Sequence, residues 1–231
     1  MIRTPHPPAT PARALGGTLA VLAATALAAA VPVPSAGATT HLAPVPDGPV
    51  TIELLSVDGS GCRPGSAAVA VAPDRTAFTV TYSEYLAQVG KDAGPADFRR
   101  DCRLSLRVHG PQGFTYAVSR ADYRGFADLR KGARGTQTAG YSFDGTGKAP
   151  SRSHTFHGPV VDAWQTTDAP PVGAVVHVPC GEQRNFTIDT ELLVDGGTSD
   201  TAATTSFLSM DSTDGSTSTR YHFSWRKCPA R

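Results

Sequence analysis

Six segments of this chain carry apolar, β-branched and aromatic residues at strand length, with a period of two: 51–55, 67–71, 78–82, 104–108, 186–192 and 220–225. That period places alternate side chains on a core and in water, which a helix cannot do with the same residues. Between the segments stand Asp58-Gly59, Pro111-Gln112-Gly113, Asp144-Gly145, Asp195-Gly196-Gly197 and Asp214-Gly215, residue types that tolerate the backbone angles of tight turns. Helical promise is confined to 83–100, where Gly90, Gly94 and Pro95 leave room for only a turn or two around 96–101. The pattern predicts an all-β chain folded as an antiparallel β-sandwich. The Ser, Thr, Gly and Asp-rich stretch 196–206 reads as a mobile hairpin loop.

The first 38 residues follow a different logic. Arg3 and Arg13 precede an apolar run from Leu15 to Val31, then Pro32 and Pro34, then the small residues Ala36-Gly37-Ala38. This is the layout of a secretory signal peptide cut after Ala38. The run is interrupted by Gly16, Gly17 and Thr18 and falls short of the roughly 20 apolar residues that span a bilayer. No membrane anchor is expected, and the predicted address is extracellular. Residues 39–49, with Pro44, Pro46 and Pro49, read as an extended tether, and 50–231 as a single domain.

Cys62, Cys102, Cys180 and Cys228 all fall in the exported part, and an even count in an oxidising compartment implies two disulfides. No two of them form a C-x-x-C pair, so the spacing argues against zinc. Three connectivities are open; Cys62–Cys102 with Cys180–Cys228 is preferred because it staples each half of the domain to itself.

The full chain has a formal net charge of +1, and the leader carries two arginines and no acid, so the exported part stands at −1. Nucleic acid and anionic membranes are poor partners for such a surface. Charge is nonetheless segregated: nine basic residues against three acids between Arg99 and Arg134, and seven acids against Arg184 alone between Glu182 and Ser216. The segments could face one another as a solvated cross-strand ladder, or build a cationic groove for an acidic ligand.

Among candidate sites, Ser60 lies in Gly59-Ser60-Gly61-Cys62, a tight turn into a disulfide without the spacing of a hydrolase elbow. His154 and His157 are three apart and should face opposite sides of a strand, while His109, His177 and His222 stand alone. No metal and no cofactor is expected. Asp189 and Glu191 share a strand face and resemble the carboxylate pair of a glycoside hydrolase, although adjacent acids on an exposed strand are far commoner. Asp211-Ser212-Thr213-Asp214 offers oxygens for calcium but lacks a distal bidentate glutamate, so a capped turn is the simpler reading.

Tyr123-Arg124-Gly125-Phe126 is the most distinctive stretch. An arginine between aromatics can stack on and donate to a ligand, and Gly125 allows close approach of a backbone or ligand. Tyr141 and Phe143 share one strand face, and with Trp164 they could form an aromatic platform for sugar rings or simply fill the sandwich. Tyr123, Arg124, Tyr141 and Phe143 are therefore the candidate binding residues.

The chain resembles the secreted proteins grouped as domain of unknown function 4360, known from filamentous actinobacteria and fungi. The resemblance runs from about Val50 to Cys228. It rests on Gly59-Ser60-Gly61-Cys62 with Pro64-Gly65-Ser66, Cys102-Arg103-Leu104, Pro111-Gln112-Gly113-Phe114, Tyr123-Arg124-Gly125-Phe126-Ala127, Tyr141-Ser142-Phe143, Pro179-Cys180 and Trp225-Arg226-Lys227-Cys228. Arg63 departs from it, since proline often follows that cysteine. The resemblance implies a single disulfide-bonded domain and supplies no activity. The expected function is a secreted, monomeric binding or surface-interaction module without enzyme chemistry, with carbohydrate the favoured ligand. A secreted inhibitor or effector presenting the loop 198–205 is the alternative, and a hydrolase using scattered Asp, Glu and His the third reading.

Overall fold

The computed structural model of the chain describes residues 45–146, 150–171, 175–210 and 218–229. The signal segment, the first part of the tether and the Asp211/Asp214 turn lie outside them. Among the described residues there is no helix, and twelve strands form two antiparallel sheets. The first, in the order β1-β5-β10-β7-β8, consists of β1 (Thr51–Asp58), β5 (Arg99–His109), β10 (Asn185–Asp195), β7 (Arg134–Phe143) and β8 (Arg152–His157). The second has the order β2-β3-β12-β6-β11-β4. Its members are β2 (Ala67–Val71), β3 (Ala77–Tyr82), β12 (Thr219–Lys227), β6 (Phe114–Leu129), β11 (Thr205–Ser209) and β4 (Leu86–Gly90), with β9 (Val160–Asp168) paired to β6 beside them. The expected sandwich is present.

Alternation sets the core. Leu104, Leu106 and Val108 of β5 and Phe186, Ile188 and Leu192 of β10 point inward from one sheet, against Phe78, Val80, Tyr221 and Phe223 from the other. Aromatic contacts tie the layers: Tyr141 meets Tyr221 edge-on at 6.0 Å, and Tyr116 meets Phe143 edge-on at 5.7 Å, while within the second sheet Phe78 stacks on Tyr221 at 4.9 Å. At fully buried positions, such side chains contribute about 1.5–3 kcal/mol each by leaving water.

Both disulfides have the preferred pairing. Cys62–Cys102 and Cys180–Cys228 join positions whose Cα atoms are 5.4 and 5.7 Å apart, and no free cysteine is left. The turn glycines behave as their sequence context suggests: Gly59, Gly113, Gly145 and Gly197 have positive φ.

Two local expectations are corrected. The segment 83–100 holds β4, a turn closed by Asp97 N donating to Gly94 O, and the first residues of β5, with no helical turn at 96–101. Residues 196–204 do not form a hairpin, because β10 and β11 belong to different sheets and this connection crosses between them. Thr198 N to Gly132 O ties it to the turn before β7, and Ser199 N to Gly196 O and Thr204 N to Asp200 O close turns within it, while 200–203 remain exposed as expected.

Candidate binding surfaces

The long strand β6 organises both candidate sites. On one flank it pairs with β12 through Phe114–Asp122 and then with β11 through Phe126–Asp128; on the other flank it pairs with β9 through Ala121–Leu129. Parity decides which way each side chain points. Tyr123, Ala127 and Leu129 turn inward and are buried, whereas Arg124 and Phe126 turn to solvent.

Of the four residues singled out for binding, only Arg124 is on the surface. Tyr123 is fully buried, Phe143 is 7% exposed, and Tyr141 is half-buried with its ring parallel to Phe186. Trp164 is likewise buried, packed on Phe156 at 5.0 Å. An exposed platform of Tyr141, Phe143 and Trp164 is therefore not formed. All three occupy inward positions, where a large apolar ring gains most from burial. The open space at Gly125 is taken by the protein itself: a Cβ there would overlap the Ser209 carbonyl oxygen and the Trp164 ring.

The outer face of the seven-stranded sheet carries a different aromatic pair. Phe126 of β6 and Phe207 of β11 lie with ring centroids 6.1 Å apart and planes inclined by 27°. Phe126 is 38% exposed and Val161 of β9 is 64% exposed. The register carries the same face across three strands, with Ala163 opposite Phe126, Val161 and Phe207 on either side of Asp128, and Gln165 opposite Arg124. Gln88 of β4 stands opposite Phe207. Among the described residues, Arg124 has no ion-pair partner. The result is a partly aromatic strip in which the Arg130-paired Asp128 stands between Val161 and Phe207, flanked by the Arg124 guanidinium and the Gln165 amide; the Gln88 amide already donates to Asp97. Exposed apolar groups rimmed by polar ones are a mark of interaction sites.

Next along β6 the same face turns polar. Asp122 accepts from Arg120 Nε at 2.9 Å and from Thr167 Oγ1 at 2.6 Å, and its second oxygen is 2.8 Å from His222 Nε2. Burial pushes this carboxyl up, yet the bonds from Arg120, Thr167 and His222 together with the Arg120 charge outweigh it and hold its pKa below the usual value. A depressed folded pKa stabilises the fold above the unfolded value near pH 4, and that contribution is lost as pH falls through the folded pKa. Thermal melts from pH 7 to pH 3 should show it, and Asp122→Asn should flatten the acid limb while lowering stability at pH 7.

The opposite sheet resolves the charge segregation. On its outer face Arg99 pairs with Glu191 at 2.5 Å, Arg103 with Asp189 at 2.5 Å and Arg134 with Asp195 at 2.9 Å. Three arginines of the basic segment thus meet carboxylates of the acidic one as a cross-strand ladder on this face. Asp189 and Glu191, the carboxylates that suggested glycoside hydrolysis, each serve an arginine on β5. Ser60 Oγ donates to Asp101 Oδ1 at 2.6 Å, with no histidine among its hydrogen-bond partners. His154 binds Asp168 at 2.8 Å, and His157 faces the other way, as their spacing implied. Among the described residues no group of three or more His, Cys, Asp or Glu could hold a metal ion, and no helix is long and apolar enough to cross a membrane.

Sequence reading missed the Phe126–Phe207 pair. Phe207 sits in a stretch dominated by Ser and Thr, and nothing in linear spacing joins it to Phe126; only the β11–β6 register does.

The comparisons agree with this architecture. The family described as Domain of unknown function (DUF4360) matches residues 48–228. An uncharacterized secreted protein of Arthroderma benhamiae is 32% identical over 170 residues, covering 74% of this chain and 68% of the relative. The protein is secreted, an address its two disulfides also suit. From the two cysteine staples to the Tyr123–Ala127 stretch that seats Trp164, the matched region is the sandwich itself: the chain belongs to the DUF4360 family.

Proposed function

We propose that this protein is a secreted, monomeric, non-catalytic module that binds carbohydrate on the outer face of its seven-stranded sheet. The observation that carries the reading is the stacked pair of exposed Phe126 and half-buried Phe207 beside Arg124 and Gln165. A sugar ring offers a C–H face that packs on an aromatic ring and hydroxyls that pair with guanidinium and amide groups. Rigid strands fix the backbone beneath these four side chains, so little backbone ordering entropy is lost on binding. The ion-paired states of Asp189 and Glu191 favour binding over hydrolysis on the other sheet.

The test is retention of insoluble cell-wall polysaccharides by the immobilised exported protein. Arg124→Ala should weaken retention about tenfold or more, the loss of a charge-assisted hydrogen bond, while leaving the melting temperature nearly unchanged. A large fall in melting temperature would instead make Arg124 a structural residue and remove it from the site.

A further inference from the structure

We propose that the gap between the two sheets is a second binding site, which takes a neutral apolar molecule carrying a hydroxyl group. The strand pairing creates the entrance. β8 covers β7 only from Arg134 to Ala139, and β9 covers β6 only from Ala121 to Leu129. Beyond those limits, among the described residues, neither edge is paired to a strand on that flank, where β6 has instead the single bond from Val178 N to Tyr116 O, and the cleft opens between Val118–Ala121 on one sheet and Ala139–Phe143 on the other. Here lies a cleft of about 680 Å³, within the roughly 300–1,000 Å³ range of small-molecule sites.

Its walls are apolar: Val118, Ala121, Ala139, Phe143 and Phe186, with Val176 60% exposed at the mouth. Against them stand two polar groups. Asp168, 4% exposed, accepts from His154 with one oxygen; neither its other oxygen nor the Tyr141 hydroxyl beside it has a well-formed hydrogen bond, and after burial it is this carboxylate that pushes the Tyr141 phenol above its usual pKa. Unpaired polar atoms so deep in a protein are costly, and a donor supplied by a ligand recovers that cost. Arg120 and Arg152, one from each sheet, stand at the rim and disfavour a cation, and the buried carboxylate disfavours an anion. An uncharged hydroxyl on an apolar body satisfies both conditions. The site is separate from the outer-face strip, and glycan retention does not depend on it.

Three probes of one shape test the inference: 2-naphthol, naphthalene and 2-naphthoate, titrated into the exported protein by calorimetry. The expected order places 2-naphthol about tenfold or more ahead of naphthalene, as for a hydrogen bond to a charged acceptor, with 2-naphthoate weaker still. Ala121→Leu or Ala139→Leu should fill the cleft and abolish binding. Asp168→Asn should keep naphthalene binding and shrink the preference for 2-naphthol several-fold. Equal affinity for naphthalene and 2-naphthol, preference for the carboxylate, no binding of 2-naphthol, or 2-naphthol binding that survives both leucine variants would overturn it. Should both leucine variants fail to fold, the ligand order on the native protein alone decides.

Discussion

Cys228→Ser is expected to lower stability by about 2–5 kcal/mol, the range for removing a native bridge from a small secreted domain. The Cys180–Cys228 bond closes 48 residues of sequence separation and ties the connection that precedes β10 to the end of β12, so it links strands of opposite sheets. Near it, Val178 N donates to Tyr116 O, the Thr115 hydroxyl donates to Val178 O, and Cys228 N donates to Gly113 O. Loss of the bridge should loosen this whole end of the sandwich. Urea denaturation of the variant measures the loss; a change below about 1 kcal/mol would mean that the neighbouring hydrogen bonds hold the end shut unaided.

Gly125→Ala should be nearly as damaging, at about 3 kcal/mol or more, because overpacking an unyielding site is destabilising. Here the added methyl meets a backbone carbonyl, that of Ser209 on the neighbouring strand, and the buried Trp164 ring on the other side. The carbonyl cannot retreat without disturbing the β6–β11 pairing, and the Trp164 ring cannot without losing its packing on Phe156. The variant should also disturb the tryptophan fluorescence of the folded state. A stable Gly125→Ala protein with unchanged emission would show that Trp164 does not rest on this glycine.

The strands visible in the sequence were those whose inward residues are mostly apolar: β1, β2, β3, β5, β10 and β12 each contain one of the six segments, with only the small Thr190 and Thr219 breaking the inward rows of β10 and β12. Others escaped for a physical reason. β7 sends Gln137 into the core, β8 turns His154 inward and β9 ends on the buried Asp168, so polar residues occupy positions where alternation demands apolar ones. Those exceptions are the groups at or beside the inter-sheet cleft. The outer strip inverts the rule in the other direction, placing Phe126 and Phe207 where polar residues are expected. Departures from pattern of this kind are where function concentrates, and pairing register, which sequence does not display, is what assembles them. Arg124 was legible as a surface residue from its charge, whereas Tyr123, Tyr141 and Phe143 were legible only as aromatics whose side of the sheet was undetermined.

The central claim, that the outer face of the seven-stranded sheet binds carbohydrate, is tested most directly by Phe126→Ala in a polysaccharide retention assay run beside a thermal melt. Phe126 is half-exposed, and its removal leaves the buried core intact. The variant should melt within a few degrees of the native protein, as for a loss of about 1 kcal/mol, and lose retention on the glycan that the native protein binds. Retention of that glycan at native strength by the folded Phe126→Ala protein, or failure of the native protein to retain any glycan, would contradict it.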